Sequence, residues 1–138
     1  MPLRKVTNAE LALLDRLWER GKATIRELTD ELYPGGGTAQ YATVQKLLER
    51  LEAKGYVRRD RSRRAHVFRA RIGRQEFLTA VFQDLAQKVC GGSVTPLFAS
   101  LLATARLSRE ERRSVRLLVD EFFKEERGGK AKKKRKKR

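Results

Sequence analysis

The sequence has few of the residues that build cross-links, metal sites and nucleophilic sites. Cys90 is the single cysteine and His66 the single histidine among 138 residues. One cysteine cannot form an internal disulfide, and it leaves too few thiolates for a metal site. His66 has no cysteine or second histidine near it in the sequence with which to hold a metal or activate a nucleophile. The sequence therefore predicts no catalytic residues, no metal and no cofactor.

Long apolar runs are absent as well. No stretch is long enough to span a bilayer, and the start MPLRKVTNAE lacks the apolar core of a secretory signal. A single cysteine also suits a reducing compartment. These features predict a cytoplasmic protein with no membrane insertion, associated with the nucleoid if its partner is DNA.

Acidic residues are scarce, with 17 Asp and Glu against 33 Lys and Arg, so that the net charge is +16. The excess is uneven: residues 1–71 hold 16 basic and 9 acidic residues, residues 72–129 hold 9 and 8, and residues 130–138 hold 8 and none. Such a charge favours a polyanionic partner, either nucleic acid or an anionic membrane surface. The first half and the basic tail are expected to contact it.

Three helix starts carry the same local chemistry, a Ser or Thr followed three residues later by Glu. In this capping box each side chain satisfies a backbone N–H that is free at the helix end. The pairs are Thr7 with Glu10, Thr24 with Glu27, and Ser108 with Glu111. They predict helices over about 8–20 and 25–32 in the first half, and a helix from 109 in the second. The first should bury Leu11, Leu14, Leu17 and Trp18.

A third helix is predicted over about 39–54, with the apolar stripe Val44, Leu47, Leu48 and Leu51. Two β-prone segments follow, 56–60 and 65–69, around the turn 61–64. Three helices and a hairpin within about 70 residues predict a winged helix-turn-helix domain, in which the third helix enters the DNA major groove and the hairpin lies on the backbone. The fold class is therefore mainly α, with a small β-hairpin wing.

The candidate DNA contacts lie on the outer face of the third helix and at the hairpin tip. Polar side chains at the start of such a helix can reach base edges, and guanidinium groups on an exposed turn suit phosphates. For the helix the alternative is an ordinary solvated face, and for the tip it is a solvated turn. The candidates are Gln40, Ala42, Thr43, Gln45, Lys46 and Arg50 on the helix, and Arg61, Arg63 and Arg64 at the tip.

Residues 72–127 are predicted to be helical, with helices over about 74–90, 94–104 and 109–126. Their apolar stripes are too wide for three short helices to bury alone, which indicates a homodimer that packs them against a second copy. The predicted domains are thus a DNA-binding domain at 1–71, a dimerisation domain at 72–127 and a disordered basic tail at 128–138. The tail could solubilise the chain or clamp DNA without reading its sequence.

With these residues in place, the chain resembles the BlaI/MecI/CopY family of bacterial penicillinase repressors. The resemblance covers residues 5 to about 126. It rests on Thr7-Asn8-Ala9-Glu10 before Leu17-Trp18, on Thr43-Val44 through Lys54-Gly55-Tyr56, on the wing, and on Gly91-Gly92-Ser93 before Leu101-Leu102.

The resemblance implies a homodimeric repressor of a palindromic operator in double-stranded DNA. In some members a membrane-bound sensor protease cuts the repressor, and the aligned position here falls near Ser100-Leu101. The alternative function is a sequence-indifferent nucleoid-associated or RNA-binding protein, which would share the same charge. The repressor and the sequence-indifferent protein differ in whether one DNA sequence binds much more tightly than random duplex.

Overall fold

The computed structural model describes residues 5–136, with side chains as far as Lys124. The chain divides into two compact units, Met1–Val94 and Thr95–Arg138. The first unit contains four helices and three strands in the order α1 Asn8–Arg20, β1 Ala23–Thr24, α2 Ile25–Leu32, α3 Thr38–Ala53, β2 Val57–Asp60, β3 Val67–Ala70 and α4 Arg74–Cys90. The second contains α5 Thr95–Thr104 and α6 Arg109–Lys136.

The starts of α1 and α2 follow the capping chemistry that the sequence predicts. Thr24 Oγ1 accepts a hydrogen bond from Glu27 N at 3.2 Å, and Thr24 N donates to Glu27 Oε1 at 3.1 Å. At α1 only half of the box forms, since Thr7 Oγ1 accepts from Glu10 N while the Glu10 carboxylate turns to other partners. Helix α1 ends at Gly21, whose φ of 84° is a left-handed conformation that glycine adopts without a Cβ clash.

The hairpin is part of a three-stranded antiparallel sheet in the order β1-β3-β2. The predicted hairpin strands are confirmed within two residues at each end, with Arg59 opposite Phe68 and Val57 opposite Ala70. The short strand β1, in which Ala23 pairs with Phe68, was missed. Two residues show no alternation of polar and apolar side chains, so the sequence could not reveal it.

The core lies between α1, α2, α3 and the inner face of the sheet. The stripe predicted on α3 is confirmed, because all four of its apolar side chains are buried; they pack with Leu13, Leu14, Leu17, Leu28, Val57 and Phe68. Two expectations for α1 need correction. Leu11 is 40% exposed, on the helix face away from the core. Trp18 is half-buried at the core's edge, where its Nε1 donates to Ile72 O at 2.8 Å.

Helix α4 is attached to the first unit through its first turn. The Phe77 ring lies 5.6 Å from that of Trp18 and 5.8 Å from that of Tyr56, measured between centroids. Arg74 Nη2 donates to Asp15 Oδ1 at 2.7 Å. Further along the helix, apolar side chains at a spacing of three or four residues stay exposed in this chain; these are Leu78, Phe82, Leu85 and Val89.

The second unit exposes large apolar side chains on both of its helices. Helix α5 shows Phe98, Leu101 and Leu102, and α6 shows Leu118, Phe122 and neighbours at helical spacing. The sequence predicts an end of α6 near residue 126, whereas its described backbone continues to Lys136. Side chains after Lys124 and residues 137–138 lie outside the described part, and the side chains of the predicted basic tail are among them. No helix within residues 5–136 is long and apolar enough to cross a membrane.

The first unit is a winged helix-turn-helix domain, as the sequence predicted: α2 and α3 form the turn unit, and the β2–β3 hairpin is the wing. The predicted separation of a DNA-binding domain at 1–71 from a dimerisation domain at 72–127 concerns function, and it stays a prediction.

Candidate nucleic-acid interface

Helix α3 has a buried face and a free face, as expected for a helix that packs on a core and presents its other side to a partner. Ala42, Thr43, Lys46 and Arg50 are exposed, and Gln45 is half-buried at the border between the faces. Lys46 makes no ion pair with any described residue. The ammonium group is thus available to an external base or phosphate.

Two of the predicted contact residues already make hydrogen bonds within the helix. Gln40 Oε1 accepts from Gly37 N at 2.9 Å, which caps the start of α3. Thr43 Oγ1 donates to Ala39 O at 3.0 Å. A glutamine reads adenine by using its amide oxygen and its amide N–H together. The bond from Gly37 N orients the Gln40 amide and occupies one acceptor site of its oxygen, and the cap gives this side chain a structural role that the sequence did not reveal.

The tip of the wing is an exposed turn rich in arginine. Ser62 N donates to Asp60 Oδ1 at 2.9 Å, which closes the turn. The pKa of Asp60 is lowered, first by the hydrogen bonds from Ser62 and then by the nearby charges of Arg63 and Arg69. Arg63 and Arg64 are exposed and form no ion pair with a described carboxylate, and Arg61 Nη2 lies 3.9 Å from Glu52 Oε1. The tip therefore presents guanidinium groups to solvent, as a phosphate contact requires.

An arginine inside the wing joins the hairpin to the last turn of α3. Arg59 Nη2 lies 3.4 Å from Glu52 Oε1, and its guanidinium stands 4.8 Å from the centroid of the Phe68 ring. Its Nη1 approaches His66 Nδ1 at 3.5 Å, and His66 is half-buried. The Arg59 side chain is only 13% exposed. This contact fixes the wing relative to the candidate reading helix, and sequence analysis missed it.

A second ion pair fixes the other side of the same helix end. Lys54, the C-cap of α3, donates from Nζ to Glu10 Oε2 at 2.7 Å and to Lys5 O at 2.7 Å. Burial by itself would raise the pKa of Glu10, but hydrogen bonds from Lys54 and Thr7 and the charge of Lys54 outweigh it, and the pKa is lowered. The sequence indicates only a capping role for Glu10, because its partner lies 44 residues away.

Arg26 is a further basic residue beside the start of α3. It projects from α2, is exposed, and places its guanidinium 5.4 Å from the centroid of the Tyr41 ring. Such stacking leaves the N–H groups at the guanidinium edge free for an anion. Nothing in the local sequence around Arg26 marks it, since its position depends on how α2 packs on α3.

The arrangement holds exposed hydrogen-bonding and cationic groups. Within residues 5–136 no group of three or more His, Cys, Asp or Glu side chains is placed to bind a metal ion. What the surface can do chemically is donate hydrogen bonds and positive charge to a polyanion.

Comparison with known proteins agrees with this chemistry. The model of a family described as "Penicillinase repressor" matches residues 6–121. The transcriptional regulator BlaI of Mycobacterium tuberculosis is 34% identical over 93 residues, which cover 66% of this chain and 67% of that protein. An uncharacterised 16.5 kDa protein of Latilactobacillus sakei is 25% identical over 107 residues, which cover 78% of this chain and 73% of that protein.

Proposed function

The chain belongs to the penicillinase repressor family, a family of DNA-binding transcriptional regulators and not of enzymes, and from this premise we propose that it is a dimeric repressor of one specific operator. The observation that carries the proposal is the division of α3. Its apolar stripe is buried, while Ala42, Thr43 and Lys46 are exposed at the end of the helix that enters the groove in such domains.

The side chains of α3 divide into two roles. Thr43, Gln45 and Lys46 contact base edges, and the methyl group of Ala42 suits a thymine methyl. Gln40 contributes an N–H donor to a phosphate or a base acceptor, because its oxygen caps the helix. Phosphates are contacted by Arg50, which lies one to two turns further along α3, and by the tip residues Arg61, Arg63 and Arg64.

Dimerisation through the C-terminal helices gives the operator its symmetry. The exposed apolar residues of α5 and α6 support this, because a monomer rarely leaves so many large side chains in water. A two-fold dimer binds a palindrome whose half-sites lie about one helical turn, roughly 34–36 Å, apart. The near-balance of charge in residues 72–129 fits a surface that meets its own copy.

Release by a membrane-bound sensor protease is the finer proposal that the family resemblance suggests. Ser100 and Leu101 are exposed, which supports access, but they lie within helix α5. Cleavage there needs local opening of the helix. A chain cut at this bond should lose operator binding, and a chain that is cut there but keeps full operator binding would refute this proposal.

The test of the proposed function is selection of bound duplexes from a random DNA pool at moderate salt with the full-length protein. A two-fold symmetric motif is expected, bound about 10³-fold or more tightly than random duplex. Recovery of no motif would favour the sequence-indifferent alternative. On the recovered operator, Lys46→Ala should weaken binding by roughly 1–3 kcal/mol per half-site, and it should weaken binding to random DNA by less.

A matched control for this variant is Lys88→Ala, which removes the same charge from the exposed surface of α4, where Lys88 pairs with Asp84 at 3.0 Å. It should leave the ratio of the two affinities unchanged. Equal losses on operator and random DNA for Lys46→Ala would make Lys46 a phosphate contact.

A further inference from the structure

The outer face of the wing sheet carries a row of cations that the proposed contacts do not use. Side chains along β3 alternate between faces, so that Phe68 is buried and Arg69 is exposed. Arg58 lies directly opposite Arg69 in the β2–β3 register and is exposed as well. Ala23 pairs with Phe68 across β1–β3, and Lys22, the residue before β1, lines the same groove as Arg69. The three cations thus cross the sheet side by side.

Two adjoining grooves on this face, of about 600 and 510 Å³, share Arg69 as a lining residue. Of their acidic lining residues, Glu27 is ion-paired with Arg20 and lies near the charge of Lys22, and Asp60 lies near the charges of Arg63 and Arg69. Arg58 forms no ion pair with any described residue. The cations on this face therefore exceed the carboxylates available to neutralise them.

This arrangement is unfavourable for the free protein. Like charges directly opposite each other on neighbouring strands repel and destabilise the sheet. A bound anion would remove the repulsion. A membrane surface favours exposed large hydrophobic side chains, and among its described residues this face has none. The face therefore suits DNA better than a membrane.

We propose that Lys22, Arg58 and Arg69 bind the phosphate groups of DNA that flanks the half-site contacted by α3. Strands lie about 4.8 Å apart, so the row spans about 10 Å, the axial rise of about three phosphates of one DNA strand. The proposal rests on the proposed function, and it extends the interface from the helix and the wing tip to the whole outer face of the sheet.

The experiment compares two variants on two duplexes. Arg58→Gln/Arg69→Gln removes two charges from the row, and the control Lys5→Gln/Arg16→Gln removes two charges from α1 and the segment before it. One duplex contains the selected operator alone, and the other extends it by about one turn, roughly 10 bp, of arbitrary sequence on each side. Affinity is measured by fluorescence anisotropy over a range of salt concentrations with the full-length protein.

The wild type and the control should bind the extended duplex more tightly than the short one, and the row variant should lack that gain. The slope of log affinity against log salt on the extended duplex should be shallower by about 4 for the row variant, because each of the two subunits loses about two phosphate contacts and each contact contributes about 1. On the short duplex the row variant should match the control.

Three results would overturn the proposal. Equal losses on both duplexes would place these arginines in the core interface, and no loss relative to the control would make them solvated charges. A second duplex bound per dimer, and absent from the row variant, would assign the face to separate DNA. A wild type with no operator preference would instead refute the proposed function, so the two failures are distinguishable.

The stability of the free protein provides an independent readout. Because Arg58 opposes Arg69, Arg58→Gln should raise the Tm by roughly 1–4 °C while it weakens binding to the extended duplex. A substitution in a ligand site is expected to raise the stability of the free protein and to lower its affinity for the ligand. A lower Tm would identify Arg58 as a structural residue and contradict the proposal.

Discussion

The ion pair between Glu10 and Lys54 should be one of the largest single polar contributions to the stability of the winged helix. The Glu10 side chain is 1% exposed, and Lys54 Nζ lies 2.9 and 2.7 Å from its two carboxylate oxygens. Lys54→Met removes the ammonium group and leaves a buried carboxylate with the Thr7 hydroxyl as its side-chain donor. Breaking a buried ion pair costs about 3–5 kcal/mol, and the 23% exposure of Lys54 places this case near 3 kcal/mol.

The measurement is urea unfolding of the wild type, Lys54→Met, and the double variant Glu10→Leu/Lys54→Met. The double variant should recover most of the loss, since an apolar pair of similar volume needs no charge compensation. Lys46→Met is the matched control, and as a surface substitution it should stay within about 0.5 kcal/mol of the wild type. A loss below about 1 kcal/mol for Lys54→Met would refute the reasoning, because it would mean that water solvates Glu10 in the folded state.

The same pair predicts a pH dependence. The pKa of Glu10 in the folded chain lies below its ordinary value of 4.5, because hydrogen bonds and the charge of Lys54 outweigh the effect of burial. A group with a lowered folded pKa stabilises the fold above its unfolded pKa, and the contribution is lost as pH falls through the folded value. The stability difference between the wild type and the double variant should thus be constant near neutral pH and should shift in favour of the double variant below pH 4.5. A difference that does not change between about pH 6 and about pH 3 would contradict this assignment.

Three further predictions concern a cap, a half-buried donor and the apolar face of α6. Thr24→Ala should lower the free energy of unfolding by about 1 kcal/mol, measured by thermal circular dichroism, because it removes the acceptor for Glu27 N; a loss no larger than that of Thr79→Ala on exposed α4 would refute it. Trp18→Phe keeps an aromatic ring but removes the donor to Ile72 O, so urea unfolding should show a loss of about 1 kcal/mol. Phe122, 67% exposed in the single chain, should be needed for dimerisation, so Phe122→Glu should sediment as a monomer in analytical ultracentrifugation; an unchanged dimer would contradict that role.

The helices of the first unit could be predicted because their ends are local. A capping Thr, a stop glycine and a stripe at helical spacing all lie within one helix, and α1, α2 and α4 begin and end at the predicted residues. The errors occur where the determinant is remote. Leu11 fits the apolar stripe of α1, but the core meets α1 on the side of Leu13, Leu14 and Leu17. Strand β1 exists only because Ala23 and Thr24 pair with β3, which follows much later in the chain.

The candidate site shows the same limit. Which residues of α3 face outward follows from helical spacing, and the structure places Ala42, Thr43 and Lys46 on the exposed face. Three contacts of the site depend on a neighbouring segment. They are the cap made by the Gln40 oxygen, the stacking of Arg26 on Tyr41 and the contact of Arg59 with Glu52. Side-chain partners across elements cannot be obtained from the spacing of a single sequence.

Two ion pairs to other elements anchor α3 at its C-terminal end. Glu52 meets Arg59 of the wing, and Lys54 meets Glu10 of α1, while Lys46 on the exposed face pairs with no described carboxylate. The helix is therefore anchored at its C-terminal end, while the exposed side chains of its N-terminal half stay available for the groove, which reduces the ordering that binding requires. It follows that Glu52→Gln should weaken operator binding without changing its salt dependence, because the wing would lose its position and no phosphate-binding charge would be removed. A shallower salt slope for Glu52→Gln would instead mean that Arg61, released from its own approach to Glu52, no longer neutralises a phosphate.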